Sequence, residues 1–165
     1  MELVYNLTMK KIIFSLLLMA TLLTAEETQA HRHLSYDKTM ALLHSIKGEA
    51  IVLGTGKTEV YVFVDPLCPH SRKFMTMVSR NGKMLTKYKY YIFLYSIPRL
   101  KSEAVVAAIY ASEKPDDLLL KIMVDKQTLQ TRTGGPACKT VADIAFVAGA
   151  LDVYKRPYII VAGQQ

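Results

Sequence analysis

The sequence predicts an α/β fold built around two parallel strands joined by a helix. Val60–Val64 is a continuous run of β-branched and aromatic residues, and YKYYIFLY over Tyr88–Tyr95 is a second such run. Runs of this kind are typical of strands buried on both faces. Pro69 is favoured in the first turn of a helix, so a helix is predicted from there to about Arg80. The order strand, helix, strand forms a βαβ unit, and its strands should be parallel.

The composition fits one folded domain in a chain of 165 residues. Apolar residues make up 51% of the sequence, which excludes a disordered chain, and we find no internal repeat or second domain. The formal net charge is +7. The basic residues are spread along the chain without a dense block, so a solvated basic surface is the simpler interpretation and nucleic acid is not an expected partner.

Residues 1–25 are predicted to be a secretory signal peptide. Lys10 and Lys11 precede an apolar run, Ile12–Leu23, and small residues follow it. Cleavage is expected after Ala25, with Ala30 as the alternative. The run is short for a bilayer span, although an uncleaved membrane anchor stays open as a second interpretation. We therefore expect an exported protein.

Residues 26–47 are predicted to be an N-terminal segment that ends in a linker-like helix. Apolar residues recur at helical spacing over Tyr36–Ile46. Ala50–Leu53 then predicts a short strand, and Gly54–Lys57 predicts a turn into the first buried strand.

The second half of the chain predicts three further helices and one strand. Asn81-Gly82 is expected to end the helix that begins at Pro69. The later elements are helices over Ser102–Ser112, from Pro115 to about Lys126 and from Thr140 to about Leu151, and a short strand over Tyr158–Val161.

The stretch FVDPLCPHSRKF contains the strongest candidate for chemistry. Cys68 stands where a helix should begin, and free N–H groups and the helix dipole at such a position stabilise a thiolate. His70 lies in the same turn and would add positive character, or is simply a surface residue. Asp65-Pro66 is interpreted as turn chemistry. A buried structural cysteine, or a disulfide from Cys68 to Cys138, is the alternative to an activated thiol.

From roughly Lys38 to Val161 the chain resembles the thioredoxin-fold thiol:disulfide interchange proteins of the periplasmic DsbC/DsbG group. The resemblance is carried by YVFVDPLCPHSRKF, by Ile97-Pro98-Arg99 where the family has a Phe-Pro-Arg-like segment, by a helical insertion, and by Arg156-Pro157 in the place of the family's proline loop. It implies a thioredoxin-like domain over 48–165 with the insertion at about 101–151.

The same resemblance implies a periplasmic location and assigns roles to individual residues. Cys68, Pro69, His70 and Ser71 occupy the catalytic motif. Arg156 and Pro157 occupy the client-binding loop, where Pro157 should have a cis peptide bond facing Cys68. Client proteins with cysteines or disulfides are the expected partners, together with a membrane reductase or a small thiol, and no cofactor is expected. An enzyme of this kind should expose its nucleophilic thiol.

The sequence departs from the family at four points. Ser71 replaces the second cysteine, so a mixed disulfide on Cys68 must be released by another thiol. Cys138 lacks its family partner near Tyr110-Ala111 and is expected to be free, bonded between chains, or a distant resolving thiol. The family's N-terminal dimerisation domain is expected to be absent, which leaves the oligomeric state open. The sequence ends at Gln165, so the last strand and helix of the fold are expected to be lacking.

Two other classes of function stay open from the sequence. The first is a redox-inactive module that binds extended peptides on a thioredoxin scaffold. The second is metal handling, in which Cys68 and His70 bind copper and His31, His33 and the methionines contribute.

Overall fold

A four-stranded mixed sheet forms the centre of the computed structural model, which describes residues 34–129 and 139–163. The strands lie in the order β1-β3-β2-β4. They are β1 (Ile51–Leu53), β2 (Thr58–Val64), β3 (Tyr88–Leu94) and β4 (Tyr158–Val161). Strands β2 and β3 are parallel, as the βαβ pattern predicts, whereas β1 pairs antiparallel with β3 and β4 pairs antiparallel with β2.

Six α-helices are present in the described residues. They are α1 (Tyr36–Ser45), α2 (Pro69–Ser79), α3 (Gly82–Lys87), α4 (Glu103–Tyr110), α5 (Pro115–Met123) and α6 (Lys139–Ala150). Five of them match predicted helices to within a few residues at each end. Helices α4, α5 and α6 come between β3 and β4, in the region predicted as the helical insertion.

Helix α2 ends just before Asn81-Gly82, as predicted, and the helix that follows, α3, was not predicted from the sequence. Asn81 closes α2 and also begins α3, because its side chain accepts a hydrogen bond from the Met84 N–H at 3.2 Å. Asparagine is among the residues favoured at this position. The chain therefore passes from α2 through a second helix directly into β3.

Both faces of the sheet are covered, which explains the unbroken apolar runs of β2 and β3. Alternate residues of a strand point to opposite faces. Val60, Val62 and Val64 pack on the face covered by α2, α4 and α5. Tyr61 and Phe63 pack on the other face, against buried residues of α1 and α6. The two layers hold β2 firmly, and the end of β2 leads to the candidate site.

The predicted signal peptide, its cleavage positions and the loop with Cys138 lie outside the described residues. Within the described part, none of the helices has both the length and the apolar character needed to cross a membrane.

Candidate active site

Cys68 lies at the N-terminus of α2, where the sequence places it. It is the N-cap residue, in extended conformation, and Pro69 follows as the first residue of the helix. Its thiol is free. Pro69 has no N–H, so the donors left over in the first turn are the N–H groups of His70 and Ser71. The position provides the helix-dipole field that favours an anion.

Asp65 is completely buried beneath the turn that holds Cys68. One carboxylate oxygen accepts hydrogen bonds from the N–H groups of Leu67 at 2.7 Å and Cys68 at 3.1 Å. The other accepts from the Ile97 N–H at 2.5 Å and the Ser102 hydroxyl at 2.6 Å. Four donors occupy this carboxylate, which makes it an anchor for the turn.

Ser71 faces inward from α2 and is also completely buried. Its hydroxyl oxygen accepts a hydrogen bond from the main-chain N–H of Asp65 at 3.2 Å. This hydrogen bond is a second connection between the end of β2 and the first turn of α2. The hydroxyl supplies no thiol for releasing a disulfide on Cys68.

The Arg156-Pro157 loop lies over Cys68, and its peptide bond is cis, as the resemblance implied. The Cys68 Sγ atom lies 3.9 Å from the carbonyl oxygen of Arg156. This loop covers the thiol, and Cys68 is only 4% exposed. The expectation of an exposed Cys68 is therefore wrong for this structure.

The guanidinium of Arg156 binds the main chain at three points. It donates to the carbonyl oxygens of Tyr95 at 3.2 Å, Val153 at 3.0 Å and Ser96 at 3.2 Å. It also stacks 4.0 Å from the centre of the Tyr95 ring, where a cation is attracted by the aromatic face. Burial lowers the pKa of Arg156, and interactions with Tyr95, Asp65 and Cys68 oppose that effect. Arg156 thus fastens the loop over Cys68, and its predicted contact with a client stays a prediction.

His70 is exposed, and its side chain forms no hydrogen bond with another described residue. For the copper hypothesis, the described residues contain no group of three histidine, cysteine or acidic side chains placed to hold a metal. His31 and His33, the other two histidines of that hypothesis, lie outside the described residues.

Sequence reasoning underestimated Asp65 and missed Ser102. Asp-Pro after a strand indicates a turn, and the structure adds that the same carboxylate also bonds residues from beyond β3. Those donors are 32 and 37 residues away along the chain. No local motif reports such a link.

Solved structures similar to the chain along most of its length include the following three. The catalytic domain of Proteus mirabilis ScsC has 15% sequence identity and a TM-score of 0.60, over 75% of this chain and 85% of that one. A disulfide interchange protein from Neisseria gonorrhoeae has 22% identity and a TM-score of 0.51, over 68% and 79%. Helicobacter pylori DsbG has 17% identity and a TM-score of 0.56, over 76% and 61%.

A scan against protein-family models and a search of curated proteins found no match to the chain. The structural similarity, at identities below 25%, concerns the fold. The chain therefore has a thioredoxin-like fold of the Dsb type, as its resemblance to the DsbC/DsbG group implied.

Proposed function

We propose that this protein is an exported thiol:disulfide exchange protein in which Cys68 is the single nucleophile. The observation that carries the proposal is a free thiol at the N-terminus of α2, 3.9 Å from the loop that contains the cis peptide bond. A helix N-terminus is a favourable position for an anion, and the loop offers main-chain groups to an extended client beside the reacting sulfur.

The exchange proceeds in two steps that conserve sulfur and electrons. The Cys68 thiolate attacks one sulfur of a client disulfide, a new bond forms between the two sulfurs, and the other client sulfur leaves as a thiolate. A second thiolate then attacks the client sulfur and releases Cys68. If this thiolate belongs to the client, the result is isomerisation. If it belongs to a small thiol, the client disulfide opens into a mixed disulfide with that thiol.

Because Ser71 carries a hydroxyl in place of a second thiol, the proposed exchange uses Cys68 alone. In a Cys-x-x-Cys protein the second cysteine attacks the mixed disulfide and releases the client. Here that position is a buried serine, whose hydroxyl cannot do so. Release therefore depends on the client, a small thiol or a membrane reductase. A periplasmic location and clients with cysteines or disulfides follow from the same proposal.

A redox-inactive peptide-binding module is the second candidate, and the burial of Cys68 favours it. A thiol that is 4% exposed under the Arg156-Pro157 loop meets a client disulfide only after the loop shifts or the client displaces it. In that case the loop and the rim around it bind extended peptides without chemistry. Peptide binding that survives Cys68→Ala would favour this candidate.

The pH dependence of Cys68 alkylation separates the two candidates. The measurement uses the Cys138→Ala variant, in which Cys68 is the single thiol that can be labelled. The double variant Cys68→Ala with Cys138→Ala has no thiol and gives the background signal. An apparent pKa near or below about 7 supports an exchange protein. A value of about 8.5 or higher, or labelling that requires unfolding, contradicts it and leaves the binding module ahead.

A further inference from the structure

A groove runs along the outer side of α2, beside the turn that holds Cys68. It encloses about 790 Å³ and lies between α2 and the residues at the end of α5. Leu67 and Pro69, the two neighbours of Cys68 in sequence, both line it. The groove therefore begins at the two residues that flank the candidate nucleophile, although Cys68 itself does not line it.

Four basic side chains line this groove: Arg72, Lys73, Arg80 and Lys126. No acidic residue is among the lining residues, and Asp125, the sequence neighbour of Lys126, is not one of them. None of the four basic side chains forms an ion pair with another described residue. Their positive charge is therefore not neutralised by the described part of the protein.

The groove also has an apolar component and one fixed cation. Met77 lines it and is 51% exposed, so it adds accessible apolar surface to the groove. The Arg72 Nε atom donates to the carbonyl oxygen of Pro66 at 2.7 Å, which holds that guanidinium beside the thiol turn. An occupant that carries both negative charge and apolar surface would match this lining.

We propose that the groove binds acidic, partly apolar segments of client proteins next to their reacting cysteine. This inference rests on the proposed exchange function and adds the class of client to it. From Pro69 to Arg80 the helix rises about 16 Å, at about 1.5 Å per residue. An extended segment covers that distance with about five residues. The acidic residues of a preferred client thus lie within about five residues of its cysteine.

The test compares short peptides whose cysteine is held as a 2-pyridyl disulfide. One peptide has glutamate and leucine beside the cysteine, a second has glutamine in place of glutamate, and a third has lysine. Attack of the Cys68 thiolate on the peptide sulfur forms the mixed disulfide and releases thiopyridone, whose absorbance gives the rate. Each rate is divided by that of the same peptide with a small neutral thiol. The protein is the full chain with Cys138→Ala.

We expect the glutamate peptide to react about five- to tenfold faster than the glutamine peptide at low salt, from a few partly exposed ion pairs. The lysine peptide should be slowest. The preference should fall to within about twofold at about 0.5 M salt, because screening weakens exposed ion pairs. Equal rates for the glutamate and glutamine peptides at low salt would overturn the proposal.

A matched pair of charge-reversal variants locates the effect. Lys73→Glu with Arg80→Glu should abolish the preference for glutamate. Lys38→Glu with Lys57→Glu changes the net charge equally, at exposed positions outside the groove, and should preserve it. If both pairs abolish the preference alike, overall charge is the cause and the groove proposal is wrong.

Reaction with dipyridyl disulfide, a small neutral reagent, separates the two proposals. If it reacts with Cys68 but the glutamate preference is absent, the exchange function stands and the groove proposal fails. If Cys68 reacts with no disulfide, the exchange function fails. The groove proposal is then tested by measuring the binding of a dye-labelled glutamate peptide to the Cys68→Ala variant, using fluorescence anisotropy. Binding that Lys73→Glu with Arg80→Glu weakens supports the groove, and no binding overturns it.

Discussion

The carboxylate of Asp65 accepts a hydrogen bond from the N–H of Cys68 at 3.1 Å, and both residues are buried. The main chain adds a second link, because the Cys68 N–H also lies 3.1 Å from the Asp65 carbonyl oxygen. Together with the bond from the Asp65 N–H to Ser71, these contacts fix the turn between β2 and α2 from both sides. The thiol is thus held by a preorganised turn.

Replacing Asp65 by alanine should destabilise the protein by about 3 kcal/mol or more. The change removes the acceptor of the Leu67 and Ile97 N–H groups and of the buried Ser102 hydroxyl, and each unsatisfied donor costs about 1–3 kcal/mol. The Cys68 N–H keeps its bond to the main-chain carbonyl oxygen of residue 65. Urea unfolding monitored by circular dichroism measures the loss. Asp116→Ala, at an exposed position in the first turn of α5, serves as control and should cost less than about 1 kcal/mol. Similar losses of unfolding free energy in the two variants would show that the hydrogen bonds of Asp65 do not stabilise the turn.

Ser71→Cys should convert the site into one that releases itself. A thiol in the first turn of α2 lies where the family's second cysteine attacks, so a mixed disulfide on Cys68 would be displaced internally. In the Cys138→Ala background, incubation with oxidised glutathione should leave a stable glutathione adduct on the parent protein. The Ser71→Cys variant should instead lose two thiols and retain little adduct by mass spectrometry.

Ser71→Ala is the matched control for that experiment. It removes the hydrogen bond from the Asp65 N–H, at a cost of about 1 kcal/mol, without adding a thiol. The glutathione adduct should persist in this variant as in the parent. An adduct that disappears from Ser71→Ala would mean that the hydroxyl itself stabilises the mixed disulfide.

Much of the fold was predictable from local patterns. The apolar runs of β2 and β3 indicate strands buried on both faces, and the helix between them implies parallel pairing, which the register confirms. The helix that begins at Asn81 could not be predicted in this way. Asn-Gly both ends and begins helices, and the local sequence did not distinguish these roles.

The site was predictable in its position along the chain and less so in its environment. Cys68 at a helix start and the cis bond before Pro157 follow from motif and resemblance. The burial of Cys68 depends on a loop 88 residues away, and the full set of bonds to Asp65 depends on residues beyond β3. Tertiary packing determines both, and no short stretch of sequence contains that information.

Arg156→Ala should loosen the loop and expose Cys68. The variant loses three hydrogen bonds to main-chain carbonyls and the stacking on Tyr95, which together should cost about 2–3 kcal/mol of stability. At a pH where the thiolate is fully formed, alkylation of Cys68 should become several times faster. Lys155→Ala, at the exposed neighbouring position, should leave that rate unchanged. An unchanged rate in Arg156→Ala would show that the loop does not limit access to the thiol.

A charged cluster at the start of β2 gives the fold a predictable response to acid. The carboxylate of Glu59 accepts hydrogen bonds from Lys47 at 2.6 Å, from the Tyr61 hydroxyl at 2.7 Å and from the Tyr91 hydroxyl at 3.1 Å. Burial opposes ionisation of Glu59. The hydrogen bonds and the charge of Lys47 outweigh this effect and lower the pKa of Glu59 from 4.5 to about 2. Burial and the bond to Glu59 in turn raise the pKa of Tyr61 to about 12.

Glu59 should therefore stabilise the fold above its unfolded pKa and lose that contribution in acid. Its folded pKa is depressed, so the folded state holds the carboxylate charged where the unfolded chain binds a proton. The stabilisation is complete above about pH 5 and declines as the pH falls from about 4.5 towards 2. Urea unfolding at about pH 6 and pH 3 measures it: Glu59→Gln should lose less stability on acidification than the parent. Glu113→Gln, at an exposed position, should follow the parent, and equal acid losses in all three proteins would contradict this role for Glu59.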